Sequence, residues 1–152
     1  MKRWERGAFI LFALAVTVTG AVYLWMKYFV ESDDPFAVVN HPWEPAMLHL
    51  HVLASPPFVL IFGMILNSHI LKKLRATRPN RTSGLASLVL FAVMAVTGYL
   101  LQVTTNGTAL QALVALHVAS GALFALTYTV HLVIAARLTR RVAATAAVRE
   151  VA

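Results

Sequence analysis

A chain of 152 residues that is 59% hydrophobic and only 12% charged has too little polar surface to coat a water-soluble fold. It has no cysteine, which excludes disulfides, thiolate metal sites, iron–sulfur ligation and covalent c-type haem attachment. The net charge of +7 could suit a nucleic-acid binder, but the charges cluster at the ends of apolar runs, as in a membrane protein, so no nucleic-acid partner is expected.

Residues 1–7 are a short basic lead with Lys2, Arg3 and Arg6. The first predicted span covers 8–30; its apolar run is too long for a signal peptide and no small-x-small cleavage site follows, so a retained helix is expected. Residues 31–45 form a polar loop with Glu31, Asp33, Asp34, Glu44, His41 and Trp43. Trp25, Tyr28 and Trp43 fit an interfacial aromatic belt. The second span covers 46–71, where Pro56 and Pro57 each remove a backbone donor and predict a kink. Residues 72–83 are a basic loop. The third span covers 84–103, a polar turn is expected around Asn106-Gly107, the fourth span covers 109–138, and a short basic tail follows.

This pattern predicts an all-α fold: one integral membrane domain over 1–152, a four-transmembrane-helix bundle. Of the 13 Lys and Arg, only Lys27 lies outside the lead, the 72–83 loop and the C-terminal segment. The positive-inside rule then predicts both termini to be cytoplasmic and the acidic 31–45 loop to be outside. A bacterial inner membrane is the expected location.

The chain also repeats itself. Val18-Thr19-Gly20 in the first span matches Val96-Thr97-Gly98 in the third, each after a Phe-Ala pair (Phe12-Ala13 and Phe91-Ala92). Leu50-His51-Val52 in the second matches Leu116-His117-Val118 in the fourth. His69 precedes Arg75 by the same interval as His131 precedes Arg137.

The histidines carry the chemistry. On a helix His117 and His131 are separated by about 21 Å of rise, roughly four turns, and leave nearly the same face. Ionisable residues at bilayer depth are expensive and usually functional. The second and fourth spans run in the same direction. His51 and His117 therefore fall near the outer ends, His69 and His131 near the inner ends. Two His–His pairs at two depths suit bis-histidine haem, where each helix gives the iron one neutral imidazole nitrogen. Zinc would want further ligands at each depth, and no Asp or Glu lies inside a span. His51 and His69 share a helix face, whereas His49 and His69 do not, which favours His51; the second-span rise is one turn longer, and His49 stands as the substitute. Gly20, Gly98 and Gly121 would let a flat ligand or another helix approach closely. Lys72, Arg75 and Arg137 could bind haem propionates. Tyr99, Gln102 and Tyr128 are polar enough to line a quinone pocket.

The fourth span, with His117, Gly121, Phe124, Tyr128, His131 and then Arg137, resembles helices of the di-haem b-type membrane cytochromes: respiratory cytochrome b, bacterial cytochrome b-561 and the formate dehydrogenase or hydrogenase cytochrome b subunits. Thirteen residues between two histidines on one helix is a recurring haem signature there. The resemblance implies a four-helix bundle holding two b haems that carry electrons across the membrane. The second span departs from the pattern, with seventeen residues between His51 and His69. Placing all four ligands on helices two and four is closer to respiratory cytochrome b.

The expected function is transmembrane electron transfer through two haem b groups, between a quinone substrate and a redox partner. That partner is another subunit of a membrane complex or an outer-side electron carrier. With almost no mass outside the lipid, the chain is not expected to be an enzyme alone. Two other classes remain open: a histidine-based metal or proton transporter, and a haem-free structural subunit.

Overall fold

In a computed structural model of the chain, the described residues are 2–66, 71 and 81–151, with the side chains of 81, 83, 135 and 138–151 outside the description. Among these residues the architecture is all-helical. The helices are α1 (Arg3–Phe29), α2 (Glu44–Ile65), α3 (Arg81–Val103) and α4 (Gly107–Val151). Each contains a stretch long and apolar enough to cross a membrane: Arg3–Phe29, Glu44–Ile65, Gly84–Val103 and Gly107–Ile134. Such a chain reads as an integral membrane protein. Helices are the natural solution, because lipid offers no partner to an unbonded backbone group.

Helix ends follow local chemistry. α1 starts at Arg3, earlier than the apolar pattern predicts, because the Glu5 carboxylate accepts the Lys2 backbone N–H at 2.8 Å. A carboxylate in the first turn also suits the helix dipole. α2 opens with Glu44-Pro45, where a missing N–H costs nothing, and continues past Pro56 and Pro57 to Ile65. Between α3 and α4, the Asn106 side chain accepts the Ala109 N–H at 3.0 Å and caps α4, so Gly107, expected in a turn, is instead the first helical residue. The expected tail after 138 is instead helical to Val151. Arginines and alanines there are good helix formers, and no Gly or Pro interrupts them.

The chain divides into two compact units, Met1–Ala76 and Thr77–Ala152. In the first, α1 and α2 pack antiparallel: Phe9 meets Phe58 and Phe62 at ring-centroid distances of 5.3 and 6.2 Å. At the other end, Asn40 Nδ2 donates to the Lys27 carbonyl at 2.8 Å. In the second unit α3 and α4 pack the same way. Phe91 meets Phe124 at 5.7 Å, Tyr128 stacks on Phe124 at 6.0 Å, and Ser87 Oγ donates to Thr127 Oγ1 at 3.4 Å. Phe9, Phe58, Phe62, Phe91 and Phe124 are buried. Much of the remaining apolar surface faces outward in each unit, as it must on helices bathed in lipid.

Candidate functional site

Each unit sets one half-buried histidine against the helix opposite, in the same way. In the first, His51 on α2 sets its Nδ1 2.9 Å from the Val16 carbonyl oxygen and 3.5 Å from Thr19 Oγ1 on α1. In the second, His117 on α4 sets its Nδ1 3.0 Å from the Met94 carbonyl oxygen and 3.1 Å from Thr97 Oγ1 on α3. A carbonyl can only accept, so each Nδ1 carries the proton and donates it. The threonines agree. Thr19 Oγ1 donates to the Ala15 carbonyl at 2.6 Å, and Thr97 Oγ1 to the Val93 carbonyl at 2.8 Å, so each hydroxyl oxygen is left to accept. A neutral imidazole with its proton on Nδ1 has its lone pair on Nε2.

Glycine makes room for each ring. A Cβ on Gly20 would lie 2.8 Å from His51 Cε1 and 2.9 Å from Nδ1. A Cβ on Gly98 would lie 3.1 Å from His117 Cε1. The space that sequence reasoning reserved for a flat ligand or a helix is thus occupied, at these two positions, by the imidazole of the same unit. Gly121 instead faces Met94 Sδ at an ordinary 3.6 Å, beside the residue whose carbonyl binds His117. The histidines' own carbonyls are also engaged: Ser55 Oγ donates to that of His51 at 2.7 Å, and Ser120 Oγ to that of His117 at 3.1 Å.

These contacts give the repeat a register. Val16, Thr19 and Gly20 correspond to Met94, Thr97 and Gly98; His51, Phe58 and Phe62 correspond to His117, Phe124 and Tyr128. The Phe-Ala pairs fall one residue out of this register. Phe9 corresponds to Ser87 and Ala13 to Phe91, so the aromatic contact of α1 moves one turn along α3. By the same correspondence His131 matches Ile65, and His69 matches Ala135. The one-turn discrepancy noted in the sequence is therefore confined to His69 and His131.

His131 is half-buried on α4 and Arg137 is exposed one to two turns beyond it. His69, Lys72 and Arg75 lie outside the described residues. His49 is exposed on α2, and its counterpart in the repeat is Ala115. His41 is half-buried in the 31–43 connection, where its Nδ1 accepts the Trp43 N–H at 3.1 Å, the opposite tautomer to His51 and His117. Tyr99 is exposed, Gln102 Nε2 donates to the Gly98 carbonyl at 3.3 Å, and Tyr128 is taken up in the stack with Phe124. Among the described residues, no three His, Asp or Glu side chains gather as a cation site would need.

Sequence reasoning did not assign a role to Thr19, Thr97 or the Val16 and Met94 carbonyls. The threonines had a signal, since both Thr-Gly pairs recur beside the recurring histidines. The carbonyls had none, because every residue carries one.

No family model, curated protein or solved structure matches the chain.

Proposed function

We propose that the chain is a di-haem membrane cytochrome b that carries electrons across the bilayer between a quinone and a redox partner. The observation that carries this reading is the duplicated anchoring of His51 and His117. A histidine that would hold haem iron has to be a neutral imidazole, fixed in orientation, with its lone pair on a defined nitrogen. Nδ1–H bonds to Val16 and Met94 carbonyls meet all three needs, and Thr19 and Thr97 add a second acceptor. Each would offer haem iron one neutral imidazole nitrogen. A zinc ion, which wants three or four ligands, is served less well.

In this reading His51 and His117 would hold the outer haem, and His131 with His69 the inner one. Both pairings rest on the sequence, through the repeat and the spacing of the histidines. The low dielectric of a membrane interior would strengthen the Nδ1–H bond of each anchored ring to its carbonyl. That bond makes the imidazole a better donor. Arg75 and Arg137 would meet the propionates by charge-assisted hydrogen bonds. When bound, haem supplies the one-electron chemistry. The two termini would lie on the cytoplasmic side, and the partner would dock outside or within a larger complex.

The test is optical. Protein purified from haem-replete cells should show a b-type reduced-minus-oxidised spectrum and two haems per chain by pyridine haemochrome. His51→Ala and His117→Ala should each lose one haem, and it should be the same one, identified by its midpoint potential. A colourless preparation sinks the proposal. Loss of different haems in the two variants sinks the pairing.

A further inference from the structure

The connection between α1 and α2 does not stand away from the helices. Asn40 donates its side-chain N–H to the Lys27 carbonyl at 2.8 Å and its backbone N–H to Glu44 Oε2 at 3.2 Å. The other Glu44 oxygen lies 3.8 Å from Lys27 Nζ, which donates to Tyr23 Oη at 3.0 Å. These ties hold Asn40 at the level of the last turn of α1. Val38 is two residues away, so its Cα is within about 7 Å of that level. The preceding turn is also closed. Asp34 Oδ1 accepts the Phe36 N–H at 2.9 Å, its carbonyl accepts the Ala37 N–H at 3.1 Å, and Ser32 Oγ accepts the Asp34 N–H at 3.2 Å.

Out of this tied segment Phe36 and Val38 are 89% and 98% exposed. No charged residue lies between Phe36 and Val39. Trp25, Tyr28 and Phe29 on the last turns of α1, and Trp43 at the start of α2, are exposed at the same end of the hairpin. Exposed apolar groups gathered this way want a cover. Both helices are long and apolar enough to span a membrane, so their lipid-facing surface runs straight into this end. Trp and Tyr favour the headgroup boundary, where one edge is apolar and the other wet.

We infer that the 31–43 connection lies in the headgroup–acyl boundary of the bilayer, with Phe36 and Val38 inserted into lipid. The partner of this surface is lipid itself, and the anchoring is independent of any haem.

The chain has no cysteine, so single thiols can be introduced without removing others. Phe36→Cys, Val38→Cys and Asp33→Cys, each labelled with a nitrobenzoxadiazole dye, would be placed as full chains in phosphatidylcholine vesicles. The first two variants each keep the other's apolar side chain. Emission from positions 36 and 38 should be blue-shifted relative to position 33. It should be quenched by lipids bearing a nitroxide near the top of the acyl chain, and poorly by aqueous iodide. Water-like emission with iodide quenching equal to that of position 33 would overturn the inference. Shielding from both quenchers would overturn it too, because protein would then be the cover.

Discussion

A single methyl group distinguishes the roles of Gly20, Gly98 and Gly121. At Gly20 a Cβ would intrude on the His51 ring at 2.8 Å, and the ring cannot retreat without lengthening its bond to the Val16 carbonyl. Gly20→Ala should therefore destabilise the first unit by about 1–3 kcal/mol, as overpacking does. Gly98→Ala, at 3.1 Å, should cost less, and Gly121→Ala, at 3.6 Å, should be near neutral. Thermal unfolding of the three variants in detergent gives the order, and a Gly121 effect as large as that of Gly20 would contradict it. Thr97 poses a different question. Thr97→Ala removes one of two acceptors from His117 Nδ1 and should cost about 1 kcal/mol, while Thr97→Ser keeps the oxygen. Under the proposed function Thr97→Ala also shifts one haem's midpoint potential without changing haem number. Thr97→Ser should restore it.

At the scale of the element, two helix boundaries moved from their expected places through a local bond or a propensity. Glu5 extends α1 toward the N-terminus, and the absence of breakers extends α4 beyond the span. Asn106 caps α4, because its side chain bonds its own helix. Asn106→Ala should cost about 1 kcal/mol through loss of this cap, with Asn106→Asp retaining most of it. Denaturant unfolding of the two variants side by side would check the difference. Packing between antiparallel helices obeys another rule. In lipid, contact between apolar side chains gains no water exclusion, so close fit decides stability. Phe124 touches both Phe91 and Tyr128. Phe124→Ala should therefore cost about 3 kcal/mol and Phe124→Leu much less. Equal costs would mean the aromatic cluster is not what joins α3 to α4.

For the whole molecule, the repeat sets the expectations. The two units present His51 and His117 alike, yet His69 and His131 fall one turn out of the shared register. Two haems held by such pairs should differ in potential, and His131→Ala should remove the inner haem while leaving the outer one spectrally intact. Redox titration of this variant is the check; loss of both haems, or of the outer haem alone, would reject the assignment. The basic segments predict that both termini share the cytoplasmic side. A membrane-impermeant thiol reagent should therefore label Asp33→Cys in intact cells and Lys2→Cys only after the cells are opened.

Four apolar spans and the polar 31–43 connection were legible because length and hydropathy are properties of a few consecutive residues. The repeated Thr-Gly and Leu-His-Val segments were legible too, as words. Their meaning was not. That Gly20 and Gly98 shelter imidazoles depends on which faces of two antiparallel helices meet. The acceptors for both Nδ1 protons are main-chain carbonyls, which leave no mark in a sequence, so only the packing of α1 on α2 and of α3 on α4 could assign the tautomer.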